Sequence, residues 1–246
     1  MLALSGRECK SIEPESSVLR GGVIVRRMAE MHDATEEYLE TILQLEEEGI
    51  VPIRARLVER LGVSAPAVSE HVNRLVDGGY TELMDDRSLR LTTKGRVLAT
   101  SIVRRHRLAE RLLVDIIGLE WEKVHKEADR WEHAISADVE EKLVLLLGDP
   151  STCPHGNPIP GSANRNDTSR HVALADARPG SFVVARISEK LELDDGALQF
   201  LVGAGLIPGR DVELLARSPR GERVRTSSGE HTVDSEIAHL IWVSAA

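Results

Sequence analysis

Along the first half of the chain, apolar residues recur at helical spacing in segments separated by glycines. From Asp33, residues Tyr38, Leu39, Ile42 and Leu45 fall on one side of a helix, with Glu36, Glu37 and Glu40 elsewhere, and Gly49 ends it. Residues 54–61 predict a short helix with Leu57, Val58 and Leu61 apolar, and Gly62 supplies the turn after it. Ser64 is placed to cap the next helix, 65–77, with Pro66 in its first turn, where a missing N–H costs little. On that helix Val68, Val72 and Leu75 face a core. Pro66, Ala67, Ser69, Glu70, Asn73 and Arg74 are left towards solvent, and Gly78-Gly79 stops the helix. Residues 80–84 and 88–92 read as two short strands about the turn Asp85-Asp86-Arg87. A helix-turn-helix followed by such a hairpin is the pattern of a winged helix, whose second helix enters the DNA major groove.

Three further helices follow. Thr93 is expected to cap a long one running to about Ile117 and closed by Gly118; residues 121–135 form the next. Ser136 caps a third, with Asp138, Glu140 and Glu141 in its first turn, where they complement the helix dipole. Trp121 and Trp131 are expected in the core. These helices carry more apolar surface than one small domain needs, so part of it is expected to form a homodimer interface. Residues 148–171 are dense in Gly, Pro, Ser, Asn and Asp, a linker whose PIP segment is read as a stiff spacer or as a polyproline ligand of the barrel that follows. Beyond His171 the period changes to two, with strand candidates at 182–187, 211–216 and 240–243, a short helix near 194–203 and a turn at Pro208-Gly209. This tail predicts a small β-rich domain, a barrel. The expected division is an arm at 1–28, a winged-helix domain at 29–100, a helical domain at 101–148, a proline-rich linker at 149–171 and a β domain at 172–246. The fold class is mainly α with β.

Charge sharpens this picture. The chain of 246 residues carries a net charge of −9, which argues against a generic nucleic-acid coater. Residues 51–107, however, hold ten Arg and Lys94 against six carboxylates, a local balance of +5 over the winged-helix region. Arg54, Arg56, Arg60, Arg74 and Arg87 are the expected phosphate contacts, which fix register without reading sequence. Cys9 and Cys153 are alone and far apart, implying neither a disulfide framework nor a thiolate metal site. No apolar run approaches the ~20 residues of a membrane span, and the N-terminus lacks a signal-peptide core, so a cytoplasmic location is expected.

The candidate chemistry lies on the helices after the wing. His106 and Glu110 are four apart, as are His125 and Asp129, and Asp129 and His133; Glu132 is three beyond Asp129. Residues three and four apart share a helix face, so two such faces opposed would cage a divalent cation. One His/carboxylate pair on a helix is usually a surface salt bridge, and acidic residues such as Glu37 and Glu40 near a helix start are commonly solvated. Three pairs on adjacent helices favour a metal site instead. Asp194 reads as the N-cap of its short helix, while His155, His171 and His231 lack partners at helical spacing and read as surface histidines. A DNA-binding domain joined to a metal cage suggests a metal-sensing regulator.

The chain from about Asp33 onward resembles the diphtheria-toxin-repressor family of metal-dependent transcriptional repressors, most clearly in RLAERLLVDIIGLEWEKVHKEADRWEH and HGNPIPG. The resemblance implies a winged helix, dimerisation helices, a proline-rich connector and a C-terminal SH3-like β-barrel, acting as a homodimer on a pseudo-palindromic DNA operator. It implies an ancillary metal site at His106, Glu110 and His125, with a further carboxylate that a gapless reading back from Pro208-Gly209 puts at Asp194; a second ligand from that domain would fall on Ala197 and be lost. It implies a primary site at Glu37, Asp129, Glu132 and His133, with Glu40 as a further carboxylate of the manganese-responsive branch. Iron-type members place Met and Cys where this chain has Glu37 and Asp129. Two soft donors have become hard oxygens, which suit Mn(II) better, although carboxylate and imidazole also bind Fe(II).

The family's DNA-reading positions would fall on Ser64, Pro66, Ala67, Ser69 and Glu70. Glu70 can accept a hydrogen bond, for instance from cytosine N4, but cannot donate to purine acceptors, so the operator is expected to differ from the iron-box sequence. The expected function is a metal-activated repressor of metal-uptake genes, Mn(II)-responsive or alternatively Fe(II)-responsive. From other classes, a dinuclear-metal hydrolase has a carboxylate/His cluster but no nucleophile motif here, and a metal-storage protein would need no recognition helix and wing.

Overall fold

The computed structural model describes residues 34–163 and 168–245; the N-terminal arm lies outside them. Helix α1 (34–47) is followed by α2 (Arg54–Leu61), α3 (Ala65–Asp77) and the hairpin β1 (Thr81–Leu83) and β2 (Leu89–Leu91). Gly62 ends α2 in the left-handed region (φ 66°), and the Ser64 hydroxyl caps α3 by accepting from Ala67 N. Leu39, Ile42, Leu57, Val68, Val72 and Leu75 join Leu89 and Leu91 in one core, so the winged helix closes as its pattern predicts. The strands are antiparallel, with Glu82 opposite Arg90, and Arg87 takes a positive φ at the tip.

Helix α4 (Thr93–Arg111) is capped by Thr92, one residue before the expected cap. It does not run unbroken to Ile117: Leu112–Ile117 is a π-helical turn. Such turns widen the helix and often mark functional positions; this one begins two residues after Glu110. A 3-10 turn (Trp121–Lys123) leads into α5 (Val124–Trp131), and Ser136 caps α6 (Ala137–Leu147) as expected. Leu108, Ala109, Leu113, Val124, Ala128 and Leu143 make a second core. Ile116, Ile117, Val139, Leu145 and Leu146 remain exposed, a broad apolar face on these helices.

The third core belongs to a six-stranded antiparallel sheet of order β3-β8-β4-β5-β6-β7: β3 (Val172–Ala173), β4 (Gly180–Ile187), β5 (Asp211–Ser218), β6 (Gly221–Thr226), β7 (Gly229–Val233) and β8 (Ile241–Ala245). Helices α7 (Glu189–Glu192), α8 (Asp195–Ala204) and α9 (Ser235–Ala238) complete it. The β6–β7 hairpin is an addition to the expected strands. The linker docks on this domain: Ile187 N donates to His155 O, and Asn157 Nδ2 donates to Ile187 O. Gly156 (φ 87°) makes this docking feasible, because a Cβ there would come within 2.2 Å of Ala185 O. Ile159 enters the helical core rather than the barrel.

Polar contacts fasten the β domain to the winged helix. Ser188 Oγ donates to Glu48, Lys190 pairs with Glu59 at 2.7 Å and Arg186 donates to Glu47 O. At their centre is Arg107, 1 % exposed, which donates to Glu47, Glu189 and Pro158 O.

Candidate metal centre

Helix α4 presents His106 and Glu110 one turn apart, and α5 presents His125 opposite them. His106 Nε2 lies 3.1 Å from His125 Nδ1 and 3.4 Å from Glu110 Oε1. Glu192, the last residue of α7, closes the group with Oε2 3.0 Å from His125 Nδ1. All four side chains are buried, and their ligand atoms lie within 4.8 Å of one another. Metal–ligand bonds of ~2.1 Å separate opposite donors by ~4.2 Å, so this cage is within a small contraction of a coordination shell. Glu110 Oε2 and Glu192 Oε2 have no hydrogen-bond partner among the described residues, although Glu192 Oε2 lies within ion-pair distance of two imidazoles. Buried carboxylate oxygens left so are costly, and a cation satisfies them. The donor set fits a divalent metal.

Two neighbours were unforeseen. His155, expected at the surface, is fully buried, with Nδ1 3.0 Å from Glu110 Oε1 and from Glu192 Oε2. Its signal lay in the Cys-Pro-His spacing, which brings Cys153 beside Glu110 and His155 in a second ligand-capable group. Asp194 caps α8 by accepting from Gly196 N and Ala197 N and does not join the cluster. The gapless reading that reaches Asp194 is out of register. The Glu189/Glu192 pair, three apart at the start of a helical segment, is the better signal.

The charges of the cage support one another. Burial alone would push His106, His125 and His155 down, but Glu110, Glu132 and Glu192 around them win; His106 and His155 are held well above the ordinary histidine value, and His125 is raised to about 10. Burial would likewise raise Glu110 and Glu192, yet the imidazoles hold both below the usual carboxylate range. Burial pushes the Cys153 thiol up to about 12, helped by Glu110. Without a cation, protons on these imidazoles offset the buried carboxylates, with His106 Nε2 and His125 Nδ1, 3.1 Å apart, holding only one between them.

A second, more open group lies beside the first. A cavity of about 650 Å³ is lined by Glu37, Glu40 and Thr41 of α1 together with His125, Asp129, Glu132, His133 and Glu189. The cavity therefore has the winged helix on one wall and the dimerisation helices on the other. Its side chains are not converged on one point. Glu132 turns back to His106 Nδ1 at 2.6 Å, and His133 Nδ1 pairs with Glu36 at 2.7 Å. Asp129 Oδ1 is 3.4 Å from His106 Nδ1 and 3.8 Å from His125 Nε2, between the two groups. Burial, then Asp129, raises Glu37; burial, then Glu132, holds Glu40 well above the ordinary range. Glu40 is not the solvated residue the pattern suggested: it is 8 % exposed and forms a ligand-capable group with His106 and Glu132.

On the other side of the winged helix, Ser64, Pro66, Ala67, Glu70 and Arg74 are exposed and Ser69 is half-buried, as helical spacing required. Arg56 and Arg87 are exposed, and Arg54 donates to Asn73 Oδ1. Arg60 differs. Its side chain is 7 % exposed and pairs with the buried Glu48, so it holds α2 on α1 and is not free to meet a phosphate.

This is the architecture of a winged-helix regulator with a ligand cage at the junction of its domains. Three family descriptions fit consecutive parts of the chain: "Iron dependent repressor, N-terminal DNA binding domain" residues 30–89, "Iron dependent repressor, metal binding and dimerisation domain" residues 92–161 and "FeoA domain" residues 172–245. The chain belongs to the diphtheria-toxin-repressor family of metal-dependent, dimeric, DNA-binding transcriptional repressors. It is 43% identical over 227 residues to the iron-dependent repressor IdeR of Mycobacterium tuberculosis (strain ATCC 25618 / H37Rv), covering 88% of this chain and 99% of that one. It is 41% identical over 224 residues to the diphtheria toxin repressor of Corynebacterium diphtheriae, covering 88% and 99%. Among solved structures, a manganese-dependent transcriptional repressor in complex with manganese superposes with a TM-score of 0.75, at 32% identity over 86% of this chain and 100% of that one. The family consists of repressors and not enzymes, which removes the hydrolase alternative. No helix among the described residues is long and apolar enough to cross a membrane.

Proposed function

We propose that this protein is a cytoplasmic, Mn(II)-activated repressor of metal-uptake genes. The observation that carries the reading is the cavity between α1 and α5, lined by Glu37 from the DNA-binding side and by Asp129, Glu132 and His133 from the helical side. Three of these four donors are carboxylates, the hard oxygen ligands that suit Mn(II). Glu40 stands behind them as a fourth carboxylate. His106, Glu110, His125 and Glu192 form the ancillary site, with His155 and Cys153 beside it.

Such a cation, when bound, supplies the positive charge that lets these carboxylates converge. Without it, Glu37 and Asp129 repel, and burial holds both carboxyls above their ordinary values. Glu132 is then held by His106 and His133 by Glu36. When Glu37 is drawn to Asp129, α1 is fixed against α5, and with it the spacing of the two α3 helices in the dimer. Ser64, Pro66, Ala67, Ser69 and Glu70 then read base edges, while Arg54, Arg56, Arg74 and Arg87 meet phosphates. A metal that favoured the DNA-competent arrangement would itself be bound more tightly on DNA, by the same factor.

Fe(II) is the second reading, favoured by the relatives named as iron-dependent. Anaerobic fluorescence anisotropy separates the two, using a labelled promoter duplex of a metal-transporter gene from the same genome at fixed salt and matched free metal. Tight binding with Mn(II) and weak binding with Fe(II) is expected; equal or better activation by Fe(II) overturns the assignment.

A further inference from the structure

The recognition helix contains a histidine that its apolar pattern did not single out. His71 lies on the inner face of α3 beside Val68, Val72 and Leu75, and is 6 % exposed. Its ring stacks on Tyr38 of α1, with centroids 4.2 Å apart and planes at 19°. Tyr38 follows Glu37 in sequence. On the other edge of the ring, Nδ1 lies 3.0 Å from Arg74 Nη2. A guanidinium can only donate, so Nδ1 accepts and the imidazole is neutral, with its proton on Nε2. That Nε2 is buried without a partner among the described residues.

An aliphatic residue would fill this place on Tyr38 without leaving a polar atom unsatisfied. What the imidazole adds is one acceptor directed at Arg74. The guanidinium is otherwise loosely held: its side chain is half-exposed, and Glu70 Oε1 is 4.0 Å away, too far for a hydrogen bond. Arg74 is a flexible cation on the exposed face of the helix expected to lie on DNA. Left to itself it would collapse on Glu70, its neighbour one turn away.

We propose that His71 is a positioning residue for DNA binding: seated on Tyr38, it holds the Arg74 guanidinium in place for a phosphate and so ties that contact to helix α1. The setting of α1, which carries Glu37 and Glu40, then reaches the DNA-facing surface through one ring stack and one hydrogen bond. The proposal rests on the reading of this chain as a metal-activated DNA binder and adds a residue to it.

The test uses the full-length dimer loaded with Mn(II) and the labelled promoter duplex, with affinity measured across a salt series. The readout is the slope of log affinity against log salt, which falls by ~0.9 for each B-DNA phosphate that the protein no longer neutralises. Arg74→Ala is expected to lower the slope by about that amount per protomer. His71→Phe keeps a ring on Tyr38 but removes the acceptor, and is expected to lower it equally. The double variant H71F/R74A is expected to lose no more than either single change. His71→Asn keeps an acceptor near the Nδ1 position without the ring seated on Tyr38, and is expected to keep more of the slope than H71F and less than the unmodified protein. A wild-type slope in H71F beside a reduced one in R74A overturns the proposal, as do additive losses in the double variant. An unchanged slope in R74A overturns it at the phosphate contact. Failure of the unmodified protein to bind any promoter duplex in a metal-dependent way refutes instead the functional reading beneath it.

Discussion

Replacing Arg107 by Met removes a cation that joins Glu47 at the end of α1, the linker at Pro158 and Glu189 of α7. Arg107 Nη2 is 2.6 Å from Glu47 Oε2 and 2.6 Å from Glu189 Oε1, and Nη1 donates to Pro158 O at 2.5 Å. The side chain is 1 % exposed, and that of Glu189 is 6 % exposed, so water cannot substitute. Met fills much of the space but leaves two carboxylates and a carbonyl facing each other. Removing one partner of a buried ion pair costs about 3–5 kcal/mol, a large part of a typical stability of about 5–15 kcal/mol. At about 2–4 °C per kcal/mol for a chain of this size, the melting temperature should fall by about 6–20 °C. The triple variant R107M/E47Q/E189Q removes the uncompensated charge and should recover most of that loss. Glu189 begins α7 and Glu192 ends it, so R107M should also weaken metal binding, by loosening the element that delivers Glu192. Differential scanning calorimetry of the three proteins decides the matter. A fall of less than about 2 °C in R107M, below the range for even 1 kcal/mol, would show that Arg107 is not the buried counter-charge proposed, as would a triple variant no more stable than R107M.

Glu192→Gln should lower affinity for the ancillary metal by about tenfold or more, whereas Asp194→Ala should leave it unchanged and cost about 1 kcal/mol of stability as a lost helix cap; titration calorimetry and thermal melts give the two readouts, and the opposite pattern would restore Asp194 as the ligand. His125 has its folded value raised from 6.5 to about 10, so its contribution is fully present below about 6.5 and lost as pH rises through about 10. The metal-free protein should therefore melt at progressively lower temperature across that window, and metal binding near neutral pH should release protons, seen as a dependence of calorimetric heat on buffer ionisation enthalpy; a flat or rising melting curve contradicts this. The double change Glu37→Met and Asp129→Cys returns soft donors to the open site and should shift activation of DNA binding away from Mn(II); an unaltered metal order would show that those two positions do not set the response.

The winged helix was legible in the sequence because local rules and burial agree there. Gly62 marks the end of α2 and Ser64 the start of α3, and Leu57, Val58, Leu61, Val68, Val72 and Leu75 of these helices join one core. The cage on α4 and α5 was legible for the same reason, since helical spacing alone puts His106 beside Glu110. What escaped depends on contacts between distant segments. His155 has no helical partner, and its burial follows from a glycine turn pressed on β4. Glu36 and Glu40 look like a solvated face until the rest of the fold covers them. Arg60 looks like a phosphate contact until Glu48 claims it. His71 was hidden for a different reason: it occupies an apolar position, and only its neighbours show why a nitrogen is useful there.

If carboxylates from α1 and α5, brought together across one cavity, make DNA binding depend on metal, then removing their charge should uncouple the two. Promoter-duplex affinity is to be compared with Mn(II) and with chelator in the unmodified protein and in Glu37→Gln/Asp129→Asn, at one salt concentration. A large gain on adding Mn(II) to the unmodified protein and almost none in the variant is expected, with both proteins equally weak in chelator. A variant that still gains as much from Mn(II), or an unmodified protein that binds the duplex equally with and without metal, would contradict the switch.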